Sequence, residues 1–287
     1  MARDPSLSDL SGRVCVVTGA SRGIGRATAE GLAELGATLV LVCRDAADGS
    51  DVAAGIIAAG GHPPTVVLCD LSSQASIRSA AAEILGRWPR LHVLVNNAGV
   101  LLRTREISVD GFEMQFAVNH LAYFLLTCLL LHALKADAPS RIVNVSSGAH
   151  QGGRIDFEGL QSPRRYDPIR VYAMTKLANI LFTRELARRL EGTGVTANAV
   201  HPGVIETRLL ANYLDIPPME KTIARAFSAK PERGAETSIY LAASPEVAGI
   251  SGGYFVSQQA SPSSPSSYDE AVARKLWDVS ARLTGLA

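Results

Sequence analysis

The sequence predicts a single α/β domain: a doubly wound, seven-stranded parallel sheet with helices on both faces. Three observations predict it. Short apolar runs alternate along the chain with longer segments of helical periodicity. The runs are continuously apolar, as strands covered on both faces require. A glycine-rich turn, Gly19-Ala20-Ser21-Arg22-Gly23-Ile24-Gly25, joins the first run to the first helical segment. At 287 residues the length alone allows one or two domains, and the richness in Ala, Val, Leu and Gly supplies a large core.

Strands are expected at 13–18, 38–43, 65–69, 91–96, 141–146, 195–200 and 253–256, and helices at 24–35, 49–59, 73–87, 110–135, 168–191 and 233–243. Val14-Cys15-Val16-Val17 makes the first strand, and Ala27, Ala29, Leu32, Ala33 and Leu35 continue at helical spacing. The second strand ends at Cys43-Arg44-Asp45, the third before Asp70-Leu71, the fourth at Asn96-Asn97-Ala98-Gly99 and the fifth at Ser146-Ser147. Helix 110–135 holds the longest apolar stretch, Leu121 to Leu134, which is too short to span a bilayer and carries Thr127 and His132. It reads as a buried helix. Ser261-Pro262-Ser263-Ser264-Pro265-Ser266-Ser267 is a loop before a last helix around 268–283. The whole chain, 1–287, is taken as one catalytic domain with a lid insertion about 206–232 and a C-terminal extension about 258–287.

Composition narrows the function. With 28 basic and 27 acidic residues there is no electrostatic case for nucleic acid. Cys15, Cys43, Cys69 and Cys128 fall in apolar patterns without metal-ligand spacing, and read as reduced core residues of a cytoplasmic protein. The six histidines show no metal-binding pattern, so no metal is expected. Residues 1–12 are polar with no apolar signal region, and no membrane span or anchor is expected. Trp88 and Trp277 are assigned to packing, and His201 to shaping the loop at Pro202-Gly203.

The chemistry centres on Tyr172 and Lys176. Residues at i and i+4 share a helix face. A free tyrosine has a pKa of about 10, whereas a proton-transfer group works best near the operating pH. Moving it by roughly 3 units takes about 4 kcal/mol of preference for phenolate, and a nearby cation supplies much of that. Tyr-x-x-x-Lys is unspecific alone and gains force from Ser147 upstream and the glycine turn. Strand, glycine turn and helix form the unit that aims a helix N-terminus at a phosphate. The spacing here is G-x-x-x-G-x-G, and similar turns also close units that bind nothing. Ser147 is no hydrolase nucleophile, because Asn144-Val145-Ser146-Ser147-Gly148 lacks the first glycine of the nucleophile elbow.

At this point the chain resembles the short-chain dehydrogenase/reductase family over nearly its whole length. The turn Thr18-Gly19-x-x-x-Gly23-Ile24-Gly25 matches, followed in the family's order by Asp70-Leu71, Asn96-Asn97-Ala98-Gly99, Asn119, Ser146-Ser147, Tyr172/Lys176 and Pro202-Gly203 with Thr207. Cys43-Arg44-Asp45, Val118-Asn119-His120-Leu121, Lys176-Leu177-Ala178-Asn179 and Ser244-Pro245-Glu246-Val247 look closer to its retinol-dehydrogenase-like branch.

The resemblance implies a Rossmann-type fold and a nicotinamide-dependent oxidoreductase. It assigns Tyr172 as acid/base, Ser147 to the substrate oxygen, Lys176 to lowering the tyrosine pKa and holding the ribose, and Asn119 to a proton-relaying water. For Asn119 the alternative is a helix-kinking polar residue. It assigns Gly19, Ser21, Arg22, Gly23, Ile24, Gly25, Arg44, Asp70, Leu71, Asn97, Ala98, Gly99, Pro202, Gly203, Ile205 and Thr207, with Tyr172 and Lys176, to the cofactor. Asp70 could also be a helix N-cap before Ser72-Ser73-Gln74, and Asn96 is expected to bond neighbouring backbone. Arg44 and Arg22 point to NADP(H) through its 2′-phosphate; the alternative is that both are solvated and Asp45 takes the ribose of NAD. Two insertions line the pocket. One contains Arg154-Ile155-Asp156-Phe157 and Tyr166-Asp167-Pro168, the other Leu209, Leu210, Tyr213, Leu214, Ile216 and Met219. Their apolar content suits an apolar aldehyde, ketone or alcohol. The alternative function is a catalytically weak NADP(H)-binding sensor, and substrate identity, direction and stereochemistry stay open. Helices 110–135 and 168–191 each carry more than one apolar stripe, which suggests a homodimer or homotetramer unless the last helix covers the excess.

Overall fold

The computed structural model describes residues 6–161, 166–203 and 230–287. The strands are β1 (Val14–Thr18), β2 (Thr38–Cys43), β3 (Thr65–Leu68), β4 (Val93–Asn96), β5 (Ser140–Val145), β6 (Val195–His201), β7 (Tyr254–Val256) and β8 (Gln259–Ala260). They form one sheet in the order β3-β2-β1-β4-β5-β6-β7-β8. Pairing is parallel from β1 to β7, as expected, but an eighth strand pairs antiparallel on β7. It turns back through Ser257 and Gln258, at φ 48 and 64. Two left-handed residues in succession make a tight hairpin turn. Gln259–Ala260 has no apolar run, so nothing in the sequence announced it.

The helices are α1 (Gly23–Glu34), α2 (Ala46–Ala58), α3 (Gln74–Arg87), α4 (Met114–Lys135), α5 (Pro168–Arg189), α6 (Pro231–Ala243) and α7 (Glu270–Leu283). α2 starts earlier than expected because Asp45 caps it: Oδ1 accepts from Ala47 N at 2.8 Å and Asp48 N at 3.1 Å. α4 starts later, at Met114 rather than 110. Gly111 is at φ +84 in a turn, Ile107 bridges Glu113, and the Glu113 carboxylate accepts from Phe116 N. α4 is long and apolar enough to cross a membrane by length and composition, and 78% of its apolar window is buried in the core.

Both sheet faces are covered. Val14 and Val16 face a core with α3, α4 and α5, while Cys15 and Val17 face one with α1, α2 and α6. Each buried valine contributes about 1.5–3 kcal/mol over exposure. α7 adds an outer layer on one side only. Trp277 stacks on Phe182 at 5.8 Å and meets Phe124 edge-on at 4.9 Å, the packing role expected of it. Ala273 and Leu276 pack on Leu177 and Leu181, and Val279 and Leu283 lie against the cluster of Phe116 and Leu121. The extra apolar stripes of α4 and α5 are therefore covered within the chain, and no longer argue for a second copy.

Candidate active site

The strand order puts β1 between β2 and β4, so the crossovers diverge there and leave a crevice beyond the carboxyl ends. Several segments bring side chains to that edge. Ser147 lies two residues beyond β5, and its Oγ accepts from Ala149 N at 3.2 Å, capping the short helical turn Gly148–Gly152. Tyr172 and Lys176 lie one turn apart on α5, whose N-cap is Asp167. The Tyr172 hydroxyl hydrogen-bonds the Ser147 side chain. Lys176 Nζ sits 5.5 Å from the Tyr172 ring centroid and 5.9 Å from that of Tyr123, and donates to Val145 O at 3.2 Å. Ser146 points away and donates to Lys176 O at 2.8 Å, which leaves Ser147 as the serine facing the tyrosine.

Burial dominates the electrostatics here. It pushes the Tyr172 phenol up to about 12, against the Ser147 hydrogen bond, and pushes the Lys176 ammonium down to about 8. The sequence suggested instead that the lysine lowers the tyrosine. The physical reason for the reversal is that Lys176 is itself only 3% exposed. Desolvation weakens the cation and penalises the phenolate together. Tyr172 thus stands as a protonated donor at neutral pH, beside an amine poised to exchange protons.

Asn119 lies in a π-helical turn, Ala117–Leu121, inside α4. Its Oδ1 accepts from Val100 N at 2.7 Å, and its Nδ2 donates to Val100 O at 2.9 Å and Thr175 Oγ1 at 3.1 Å. The side chain keeps one lone pair and otherwise ties the loop after β4 to α5. It both interrupts the regular helix and stands at the site. A Cβ on Gly99 would lie 3.4 Å from Asn119 Oδ1 and 3.5 Å from Lys176 Nζ, so the three meet at one point.

The glycine turn is closed by contacts only glycine permits. Gly19 is at φ +64, and a Cβ there would come within 2.9 Å of Ala98 Cα. A Cβ on Gly25 would run into the Gly19 carbonyl. Thr18 Oγ1 accepts from Asn97 N at 2.9 Å and Ala98 N at 3.2 Å, and Asn97 Nδ2 donates to Thr18 O at 2.9 Å. The N-terminus of α1, like that of α6, has no side-chain cap, whereas α2, α3, α5 and α7 are capped by Asp or Ser. Its free N–H groups fit a phosphate. Ser21, Arg22 and Ile24 lie on this turn.

Arg44 follows β2, and Asp70-Leu71 follows β3. Arg22 and Arg44 are exposed and make no ion pair among the described residues. Asp70 is not the cap of α3: Ser73 is, while Asp70 Oδ1 accepts from Ser72 N at 2.9 Å and Ser72 Oγ at 2.7 Å. Asn96 bonds side chains rather than backbone, donating to Thr127 Oγ1 and Asn144 Oδ1 at 2.9 Å each. His201 shapes its loop as expected, accepting from Gly203 N at 3.3 Å just after Pro202. Ile205, Thr207 and the lid residues lie outside the described residues. No metal-binding cluster is present among the described residues. A cavity of about 950 Å³ opens among Arg13, His92, Arg141 and Glu191, at the other end of the strands, and contains none of these groups.

Tyr123 and Thr175 were not singled out in the sequence, and Thr18 entered only as the first residue of the family turn. Tyr123 OH donates to Ala98 O at 2.8 Å, and Thr175 Oγ1 to Tyr172 O at 2.8 Å. Their signal was spacing: Thr175 lies three residues after Tyr172, and Tyr123 four after Asn119.

Comparison with known proteins shows the family. The family model for short chain dehydrogenase matches residues 13–215. Retinol dehydrogenase 14 of Mus musculus is 47% identical over 298 residues, covering 99% of this chain and 88% of that protein. An uncharacterized protein from Mycobacterium Paratuberculosis superposes with a TM-score of 0.81 at 34% identity, over 97% of this chain and 96% of that one. A short chain dehydrogenase from Burkholderia cenocepacia, solved in complex with NADP, gives 0.70 at 27% identity, over 87% and 97%. An enzyme of this fold uses a nicotinamide nucleotide, and the uncapped α1 turn fits one. The chain belongs to the short-chain dehydrogenase family, in its retinol-dehydrogenase-like branch, and is an oxidoreductase acting on the CH–OH group of an alcohol or its carbonyl counterpart.

Proposed function

We propose that this enzyme interconverts an apolar aldehyde or ketone and the corresponding alcohol with NADP(H), using Tyr172 as acid/base. The observation that carries the proposal is the meeting of Ser147, Tyr172, Lys176 and the Asn119-held loop beside an uncapped phosphate-sized turn. When bound, the nucleotide supplies or accepts the hydride. The chain's own residues handle oxygen and proton. Ser147 and Tyr172 hold the substrate oxygen, and hydrogen bonds aimed at a developing oxyanion stabilise it. Tyr172 gives its proton in reduction and takes it back in oxidation. Lys176 restores the tyrosine proton, and Asn119 anchors the relay.

NADP(H) is supported by two exposed arginines near the ends of β1 and β2 that make no ion pair among the described residues, and by Asp45 being committed to its helix cap. Gly19, Ser21, Gly23, Ile24 and Gly25 would hold the phosphates, Asp70 and Leu71 the adenine, and Asn97, Ala98 and Gly99 the ribose. By the family pattern, Pro202, Gly203, Ile205 and Thr207 would complete the cofactor wall. An apolar substrate is supported by the cluster of Ile155, Phe157, Leu160 and Tyr166 beside α5, and by relatives named for retinol, an apolar alcohol. A cytoplasmic place fits four free cysteines without a disulfide. Turnover of medium- and long-chain aldehydes, ketones and alcohols, followed by absorbance of the reduced nicotinamide with NADPH and NADH in parallel, tests the reading. Apolar aldehydes reduced faster with NADPH are expected; activity confined to polar substrates, or to NADH, overturns it.

A further inference from the structure

His150 is a buried imidazole with both nitrogens engaged and no part in the chemistry just described. Its Nδ1 lies 2.7 Å from Ser147 O, and its Nε2 is 3.0 Å from Ser264 N, a residue 114 positions further along the chain. A carbonyl only accepts, so Nδ1 carries the proton. A backbone amide only donates, so Nε2 is bare. One neutral tautomer satisfies both partners, and an imidazolium would set an N–H against the Ser264 N–H. The surroundings agree: burial, and then Arg184 on α5, disfavour charge on the ring, and the Tyr254 ring of β7 packs on it at 4.9 Å.

The segment that His150 grips is anchored in turn on the tyrosine's own helix. Arg184 donates to Ser267 O and to Ser263 Oγ, each at 3.0 Å, and lies 3.5 Å over the Tyr268 ring. Ser267 closes the segment on itself, with its Oγ donating to Ser264 O at 2.6 Å. The links form a ring. From Ser147 it runs through His150, Ser264 and Arg184 along α5 to Tyr172, whose hydroxyl returns to Ser147. The two groups that would share the substrate oxygen are thus held from behind by the C-terminal segment as well as by their own strand and helix.

We propose that His150 is a positioning residue: with Ser264 and Arg184 it forms a bracket that sets the placement of Ser147 against Tyr172. The proposal rests on the reading that these two residues hold the substrate oxygen. Small misplacements of a reacting group cost up to about 100-fold in rate. Ser147 O also accepts from His150 N at 3.1 Å, so removing the ring leaves the carbonyl paired but free to tilt.

The test compares His150→Ala, His150→Asn and His150→Gln, with Ser147→Ala alongside, each scored for kcat, nucleotide affinity and folded fraction. Asn keeps a donor at the position of Nδ1; Gln reaches only toward Ser264. His150→Ala and His150→Gln should lose about 10- to 100-fold in kcat with nucleotide affinity unchanged, and His150→Asn should recover most of it. Wild-type kcat in folded His150→Ala, or equal losses in Ala and Asn, overturns the bracket. If Ser147→Ala keeps wild-type turnover, the functional reading fails instead. Independently of activity, ¹⁵N imidazole spectra of the wild type, assigned by the signal missing in His150→Asn, should show the Nδ1–H tautomer at neutral pH. The Nε2–H tautomer or an imidazolium overturns the proposal.

Discussion

The glycine turn and the catalytic corner sit at the same edge of the sheet but are built in opposite ways. The turn is local. Seven consecutive residues, Gly19 to Gly25, make it, and a single neighbouring loop at Asn97-Ala98 latches it through Thr18. The corner is assembled from afar. Asn119 reaches Thr175 across 56 positions, and His150 reaches Ser264 across 114. A local device is set by backbone conformation, so its task is to bind. A convergent device is set by packing, so it can place donors to within fractions of an ångström. Damage to the first should read out as affinity and damage to the second as rate.

The largest expected effect breaks that comparison or upholds it. Tyr172→Phe keeps the ring and removes the transferable proton, so kcat should fall by about 100- to 10,000-fold. Nucleotide affinity should stay within about twofold, because the turn is built without this residue. Stopped-flow turnover and fluorescence titration of NADPH check the two halves. A parallel loss of affinity would mean the two regions are one unit, and near-normal turnover would remove Tyr172 from the chemistry.

A smaller effect sharpens the other side. Arg44→Ala should weaken NADP(H) by about 10- to 100-fold, the worth of one charge-assisted hydrogen bond, and leave NAD(H) and kcat nearly unchanged. Titration calorimetry with both nucleotides decides it. Equal losses would make Arg44 a support of the β2–α2 loop, and tighter wild-type binding of NAD(H) would return Asp45 to the ribose.

The same contrast explains what was legible in the sequence. The strands, the glycine turn and the Tyr172/Lys176 pair were all readable, because each is a pattern within a few residues. The β7–β8 hairpin was not, since a two-residue strand, Gln259–Ala260, carries no periodicity. The start of α4 was missed because its cap, Glu113, is a residue type that usually signals helix interior. The fate of the extra apolar stripes was also beyond a sequence reading. Stripes on α4 and α5 look alike whether a second copy or the chain's own α7 covers them, and only tertiary packing of Ala273, Leu276 and Trp277 decides. The direction of the Tyr172 shift failed for a related reason. Spacing told which charges are neighbours, but burial told how much water each had lost.

That last point yields the smallest effect and the one with a definite sign. Lys176 falls from 10.5 to about 8 on burial. Below about 8 both folded and unfolded chains carry the proton, so the cost of burying the ammonium is fully present and independent of pH. Between about 8 and 10.5 the unfolded chain keeps a Lys176 proton that the native state has released, so the contribution of this group alone rises with pH. The thiols of Cys15, Cys43, Cys69 and Cys128, pushed up by burial from 9.0 to about 11 or 12, oppose this above about 9, and Tyr172 opposes it above 10.0, since each stays protonated longer in the native state. Lys176→Met should therefore remove this contribution, so that its stability relative to the wild type falls between pH 8 and 10. At pH 7 it should raise Tm by about 2–4 °C for each kcal/mol recovered. Val145 O stays paired, because Asn179 Nδ2 also donates to it at 3.2 Å. The same variant should lose turnover and, because Lys176 alone in the corner is also assigned to the ribose, bind nucleotide less tightly, so the corner would gain stability as it loses function. Thermal melts at pH 7 and at pH 8–10 check the sign. A lower midpoint with an unchanged pH slope would show that the ammonium stabilises the fold, and that Lys176 belongs to the scaffold as much as to the chemistry.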